Sequence, residues 1–194
     1  MIRAVQLIFA PAGTWEKIVL ASRGFVFIFF VNLLPLVAVT SAAESWGMFR
    51  WGESRNEFGH IVTIPAELAV RYGVATSILG LLLALVSSRF LLSVARSFDA
   101  PATFTQAFTT MAYGLGPVYL ARFIDAFPAI NTWVCWAIGV VVSISLLYHG
   151  VGMVMKPEQT KGFGLYIFTT VFVIVLSGLA HFLALSLLHG KLLR

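Results

Sequence analysis

Long apolar stretches alternate with short polar segments along almost the whole chain. A helix needs about 20 apolar residues to cross a hydrocarbon core of roughly 30 Å. Stretches free of Asp, Glu, Lys and Arg that approach or exceed this length run over 24–43, 72–88, 100–121, 126–155 and 162–190. The pattern predicts an all-α integral membrane protein, a bundle of about five transmembrane helices. We expect the helices to cover about 24–43, 68–91, 102–122, 128–152 and 163–188.

A separate amphipathic segment, residues 1–23, precedes the predicted transmembrane domain at 24–194. One helical face of this segment carries apolar residues, namely Ile2, Val5 and Phe9. Pro11 interrupts the helical pattern. Trp15 and Ile18 are expected to face the boundary of the acyl chains. The segment is therefore predicted to lie on the membrane at its interface rather than cross it.

The sizeable polar loop of the chain is predicted between the first two spans, from Glu44 to Thr63. Trp46 and Trp51 within it are typical of an interfacial aromatic belt. Loops also carry binding functions, so a lid over a ligand is the alternative interpretation.

The second span carries small residues at four-residue spacing. Gly73 and Ser77 share one face, and a second face is formed by Thr76, Gly80, Ala84 and Ser88. Small residues let helices approach closely in lipid. These faces are predicted to form seams inside the bundle or, alternatively, a surface for dimerisation. Just before them, Glu67 and Arg71 are spaced to form an ion pair along the helix.

Composition supports a membrane protein, because 59% of the 194 residues are hydrophobic and only 11% are charged, against roughly 25% charged in soluble domains. The net charge of +5 comes from basic residues scattered singly near span ends, where they would meet membrane lipids. This scatter argues against binding of nucleic acid. Seven Lys and Arg residues fall on the N-terminal side and six on the other, which favours a cytoplasmic N-terminus.

Polar and helix-breaking residues within the spans are the candidate functional positions. Pro117, in the segment that starts at Tyr113, predicts a kink in the third span. Arg122 and Asp125 follow it, three residues apart, and are expected to pair at the membrane interface. Two further candidates are deeper, His149 and His181; each is a functional candidate or a hydrogen-bonding partner between helices.

Motifs for enzymatic chemistry are missing from the sequence. It contains no zinc-protease H-E-x-x-H, no nucleophile elbow, no phosphate-binding glycine loop and no dinucleotide fingerprint. Cys135 is the single cysteine, so no cysteine cluster for zinc and no intrachain disulfide can form. The sequence predicts a protein that is not an enzyme and that holds no cofactor and no metal.

Several motifs, in order, resemble the Yip domain family, which is named for proteins that interact with Ypt/Rab GTPases. They are Tyr113-Gly-Leu-Gly-Pro117, Phe127-Pro128-Ala129, Leu147-Tyr148-His149-Gly150 and Met155-Lys156-Pro157-Glu158-Gln159-Thr160-Lys161-Gly162-Phe163, with a weaker echo in Phe9-Ala10-Pro11 and Trp15. The bacterial branch of five-span proteins is the more similar one. The family element around Tyr148 and Gly150 leaves its middle place variable, and His149 occupies that place.

This resemblance implies five spans, a cytoplasmic N-terminus and, for the bacterial branch, location in the bacterial inner membrane. Eukaryotic members carry a cytosolic Asp-Leu-Tyr-Gly-Pro motif for GTPase contact, which this chain lacks; binding of Rab-type GTPases is therefore not expected. The matched turn, with Lys156, Pro157, Lys161 and Gly162, is expected to serve topology rather than catalysis.

Three classes of function are compatible with these observations. The favoured hypothesis is a scaffold, organiser or accessory subunit that acts through membrane lipids and through other membrane proteins or self-association. The alternative is a small transporter or channel with a polar cavity near the membrane midplane, lined by Tyr113, Thr109, His149 or His181. The third is an intramembrane enzyme that uses His149 or His181 as acid or base.

Overall fold

The computed structural model describes residues 2–54 and 61–188, and helices make up most of them. The tip of the polar loop, residues 55–60, lies outside these ranges, as do Met1 and residues 189–194. The helices are α1 (Ile2–Phe9), α2 (Pro11–Ala21), α3 (Phe25–Trp51), α4 (Ala66–Ser97), α5 (Phe104–Gly114), α6 (Gly116–Leu120), α7 (Arg122–Asp125), α8 (Thr132–Met155) and α9 (Gln159–Leu188). Two short strands, β1 (Glu53–Ser54) and β2 (Ile61–Val62), pair antiparallel between α3 and α4.

Within the described residues, α3, α4, α8 and α9 are long and apolar enough to cross a membrane. Two of them contain a stretch of π-helix, at Ile28–Leu33 in α3 and at Val151–Met155, the last residues of α8. Mean hydropathy over their most apolar stretches lies between 1.9 and 2.4. The prediction of an all-α, polytopic membrane protein is confirmed.

The predicted third span is divided into α5, α6 and α7, each shorter than a membrane crossing. The first break falls at Leu115, between Gly114 and Gly116. Pro117 lies in the first turn of α6, where its missing N–H leaves no helical hydrogen bond unmade. The departure from helical geometry expected at Pro117 therefore lies two residues earlier, at Leu115, whose φ and ψ are −81° and −1°.

This broken segment runs from one end of the bundle to the other. At the end where α5 begins, Lys161 Nζ lies 3.0 Å from Asp99 Oδ2. At the opposite end, after α7, the Phe127 ring stacks on Trp51 with centroids 5.1 Å apart. Every residue from Ala107 to Tyr119 is buried, and irregular backbone is tolerated at membrane depth where protein surrounds it. The described part of the chain contains four continuous helices long enough to span, and five membrane crossings stay a prediction.

The N-terminal helices α1 and α2 pack into the bundle. Ala4 and Leu7 of α1 are fully buried, as is Trp15 of α2, and Ile18 is nearly so. The expectation that Trp15 and Ile18 face the acyl chains was therefore wrong, because the indole N–H of Trp15 finds the carbonyl oxygen of Leu146 in α8, at 3.1 Å. A buried indole requires such an acceptor.

The polar loop is shorter than predicted, because α3 continues through Glu44 to Trp51. Glu44 does not end the span; its side chain turns into the bundle, where only 2% of its surface is exposed. Trp46 and Trp51 are exposed at the end of α3, with ring centroids 5.1 Å apart. Their role in an interfacial belt stays a prediction, as does that of the loop as a lid.

The two small-residue faces of α4 have different surroundings. Buried inside the bundle are Thr76, Gly80, Ala84 and Ser88. A Cβ at Gly80 would lie 3.1 Å from Val37 of α3, so this face is an internal seam. Gly73 and Ser77 are only partly buried and line an open groove; a Cβ on Gly73 would lie 2.9 Å from Ser45, so α3 packs closely on α4 at the bottom of this groove. The Glu67–Arg71 pair forms on the exposed side of the helix, with 2.6 Å between Arg71 Nη2 and Glu67 Oε1.

Candidate functional site

A cluster of polar side chains lies inside the bundle where α3, α4 and α7 meet, and its centre is Glu44. The Tyr72 hydroxyl of α4 donates a hydrogen bond of 2.5 Å to Glu44 Oε1. Arg122 Nε of α7 lies 3.7 Å from Glu44 Oε2, which is an ionic contact. Both Glu44 and Tyr72 are at least 98% buried. A buried carboxylate is costly unless it is paired, and here two helices supply the partners.

Arg122 joins three helices through one side chain. Its Nη1 donates to the Ser41 hydroxyl of α3 and, at 3.2 Å, to the Thr76 carbonyl oxygen of α4. The side chain is 17% exposed. Its planar group of five donors suits such shared contacts better than a lysine would. Arg122 thus holds α7 against α3 and α4.

The short helices α6 and α7 are placed for this contact by close backbone packing. The hydroxyl of Tyr119 donates to the Gly80 carbonyl oxygen at 2.9 Å. At the end of α7, Gly47 of α3 lies so close to the Ala126 backbone that a Cβ on Gly47 would overlap the carbonyl group. Glycine is required where two backbones approach this closely.

Asp125, Thr132 and His181 extend the cluster towards α8 and α9. The Thr132 hydroxyl donates to Asp125 Oδ2 at 2.6 Å and lies 3.3 Å from His181 Nε2. The His181 ring also lies nearly perpendicular to the Trp133 ring, with centroids 4.8 Å apart. The Asp125 side chain lines the same small cavity as Glu44 and Arg122. The result is a continuous polar network across the bundle.

A small cavity of about 40 Å³ lies within this network and is lined by Glu44, Arg122, Asp125 and His181. Such a volume has room for about three water molecules. Among the residues that the structure describes, no group of three or more His, Cys, Asp or Glu side chains could hold a metal ion. The arrangement can bind water and fix helices against each other.

The structure brings together three of the predicted site residues, namely Arg122, Asp125 and His181. The ionic partner of Arg122 is Glu44 on a distant helix, in place of the partner three residues away that the spacing predicted. His149 lies apart from the cluster, and its Nδ1 is 3.1 Å from the Ser145 carbonyl oxygen of its own helix. Pro117 and Tyr113 do not line the cavity of the cluster either. The Tyr113 ring contacts the Trp15 ring edge-on, with centroids 6.4 Å apart.

The prediction from sequence missed Glu44, Tyr72, Ser41 and Thr132. For Ser41 and Glu44 the signal was a polar stripe at helical spacing, because Thr40, Ser41, Glu44 and Ser45 lie on one face of α3. Ending a span at its first charged residue hid that stripe.

The model of the Yip1 domain matches residues 5–182. The chain belongs to the Yip1 domain family. The resemblance inferred from the sequence motifs is confirmed, and the match covers nearly the whole chain. Neither the curated proteins nor the solved structures provide a match. Assignment to the bacterial branch stays a prediction.

The motif of this Yip1 chain around Tyr148 and Gly150 has a packing role. A Cβ on Gly150 would lie 2.5 Å from the indole of Trp15, so glycine lets α2 lie directly on α8. Tyr148 points outwards and meets the Tyr166 ring of α9 edge-on, with centroids 5.2 Å apart. The motif residues therefore connect α8 with the N-terminal segment and with α9.

The motif from Met155 to Phe163 forms the turn between α8 and α9. Lys156 adopts a left-handed conformation, with φ of 47°, which ends α8 before Pro157. Lys161 Nζ pairs with Asp99 at 3.0 Å and with Glu158 at 3.3 Å. A Cβ on Gly162 would come within 3.1 Å of the Pro157 ring. This geometry fits the topological role that the resemblance implies.

Proposed function

We propose that this Yip1-family membrane protein is a non-enzymatic scaffold or accessory subunit, and that it holds a transmembrane helix of another membrane protein. The observation that carries the proposal is an open, apolar groove between α3 and α4. Members of the family are membrane proteins that interact with other membrane proteins, which is compatible with this role.

The groove has a volume of about 730 Å³ and a floor of small side chains. The floor is formed by Ala38, Ala42 and Ser45 of α3, and by Ala69, Gly73 and Ser77 of α4. Its two floor hydroxyls are satisfied internally: Ser45 donates to the Ala69 carbonyl oxygen at 2.5 Å, and Ser77 to that of Gly73 at 2.8 Å. Both hydroxyl groups of the floor therefore already have a hydrogen-bond acceptor, and the floor presents an apolar surface.

The shape of the groove favours a helix as its occupant. Val70, Val74 and Ile78 form one exposed wall at four-residue spacing, and Trp46 and Phe49 form the other. Between these bulky walls, the exposed Ala38 and Ala42 of α3 allow a second helix to approach the backbone closely, which is how helices associate in lipid. A lipid acyl chain gains nothing specific from such a floor, since any apolar surface serves it.

The alternative of a transporter has less support from the geometry. That hypothesis places Tyr113, Thr109, His149 or His181 around one polar cavity near the midplane. His181 lines the cavity of about 40 Å³, whereas Tyr113 and Thr109 line another one. The pathway would have to pass the paired side chains of Glu44 and Arg122. The contact of Glu44 with Arg122 and with Tyr72 across this place supports a structural role.

For location, we propose the bacterial inner membrane with a cytoplasmic N-terminus, in line with the family resemblance and the charge distribution. Contact with Rab-type GTPases is not part of the proposal, because the motif for it is missing from the sequence.

Filling the groove is expected to release the partner. Val74→Trp places a large ring over the small floor, whereas Val175→Trp adds the same ring to an exposed position of α9, outside the groove. Purification from native membranes in a mild detergent, with quantitative mass spectrometry, should recover a stoichiometric membrane partner with the wild type and with Val175→Trp. Val74→Trp should retain less than about a tenth of it. Equal recovery with both variants would contradict the groove as the binding site.

A further inference from the structure

A second cavity, of about 430 Å³, lies at the opposite end of the bundle from the Glu44 cluster. Segments distant in sequence contribute to it: α1, the end of α2 with the residues after it, the start of α5, and the end of α8. Three of these segments supply a cation: Arg3 lies on α1, Arg23 follows α2, and Lys156 directly follows α8. The fold thus gathers three positive charges around one space.

The charges in this cavity have no acidic counterpart among the residues that the structure describes. None of its lining residues is Asp or Glu, and none of the three cations takes part in an ion pair there. Arg23 lies over the Phe27 ring at 4.7 Å, and Arg3 lines the cavity together with Tyr113. The contact with the Phe27 ring orients the Arg23 guanidinium without neutralising its charge. The cavity is therefore electropositive.

Neutral hydrogen-bonding groups from α5 complete the lining. Gln106 uses its side-chain oxygen to accept from the Thr103 N–H at 2.8 Å, which leaves its amide NH₂ as a donor. Thr109 and Tyr113 follow on the same helix at successive turns. Cations together with such donors match the oxygens of a phosphate group.

The walls of the cavity are fixed by packing. Ala4 and Leu7 anchor α1 in the core, Trp15 anchors α2 on α8, and the left-handed turn at Lys156 follows directly. The backbone segments that carry the cations are therefore fixed before binding, so that binding has to order only side chains.

The position of the cavity indicates the source of the phosphate. It lies where α3 begins and α8 ends, at the depth where a spanning helix meets the headgroups. Beside it, α3 exposes Val26, Phe27 and Phe30, an apolar surface on which acyl chains can lie. We infer that this cavity binds the phosphate of an anionic phospholipid headgroup, with the acyl chains along the start of α3.

Lipid binding to the purified full-length chain tests this inference. The measurement is native mass spectrometry in detergent, titrating phosphatidylglycerol, phosphatidylcholine or inorganic phosphate. One phosphatidylglycerol should bind tightly, and Arg3→Gln with Lys156→Gln should weaken it roughly 30-fold. Lys17→Gln is the matched control, because Lys17 is exposed on α2 but does not line the cavity; it should leave the affinity unchanged. The single variant Lys156→Gln should give an intermediate loss if the double variant does not fold.

Three results would overturn the inference. An equal loss with Lys17→Gln would show general attraction to basic residues without a site. Equal binding of phosphatidylcholine would show that the anionic headgroup is not recognised. Displacement of the lipid by inorganic phosphate at equal concentration would assign the cavity to free phosphate.

Discussion

Replacing Arg122 with methionine is expected to lower the free energy of unfolding by about 3–5 kcal/mol, the loss typical of a buried ion pair that loses one partner. Methionine keeps the apolar bulk of the side chain but leaves Glu44, of which 2% is exposed, without its cation. The Ser41 and Thr76 acceptors also lose their donor. Unfolding in mixed micelles, followed by tryptophan fluorescence, measures the change.

The control for this prediction is the exposed pair of Glu67 and Arg71, whose side chains are 77% and 65% exposed. Arg71→Met should have little effect, because solvent screens exposed pairs. A double variant, Glu44→Gln with Arg122→Met, should recover at least about 1 kcal/mol of the loss, since it removes both charges together. If Arg122→Met is no more harmful than Arg71→Met, the cluster does not hold the helices together.

Replacing Gly150 with alanine is expected to lower the free energy of unfolding by about 1–3 kcal/mol, the usual range for overpacking. The added methyl would meet the Trp15 indole at 2.5 Å. It would push α2 from α8 and strain the hydrogen bond from Trp15 to the Leu146 carbonyl oxygen. Thermal unfolding in detergent should show a lower midpoint for Gly150→Ala.

Gly152→Ala provides the matched comparison for Gly150→Ala. Gly152 lies two residues further along the same helix, and a Cβ there would meet no atom within 4 Å. Both changes replace a helical glycine by alanine, so they share the change in backbone entropy. An unchanged or raised midpoint for Gly152→Ala is expected. Equal midpoints for the two variants would show that the packing of Trp15 on Gly150 is unimportant.

Local features of the chain could be predicted from its sequence, because they depend on neighbours along one helix. The long apolar helices, the pairing of Glu67 with Arg71 and the interruption near Pro117 are of this kind. The family could also be inferred, since the order of short motifs carries it. In each case the physical cause acts within a few residues.

The candidate site was less predictable, because it depends on contacts between distant helices. Glu44 looks like the end of a span until Arg122 and Tyr72 are seen to compensate for its burial. Trp15 is typical of an interfacial residue in the sequence, but it is buried because Gly150 leaves room for the indole against α8. The two histidines are equally plausible from sequence, and only the fold separates His181 in the cluster from His149 outside it. Compensation over long range leaves no mark in local hydropathy.

The Glu44 cluster and the groove between α3 and α4 lie on opposite sides of the same two helices. Arg122 ties both helices together from inside the bundle, and the groove lies on the outer side of the same two helices. The buried network thereby keeps the groove at a fixed width. A rigid groove is what a scaffold needs to hold a partner helix, whereas a transporter needs its helices to separate.

Site-specific photo-crosslinking in native membranes tests the central claim most directly. A photoreactive amino acid at position 74, in the groove wall, is compared with one at position 175, on the exposed side of α9. The groove account predicts one major crosslinked product from position 74, with a transmembrane helix of another protein, and no such product from position 175. Crosslinks from position 74 to lipid alone, or to a second copy of this chain, would contradict it.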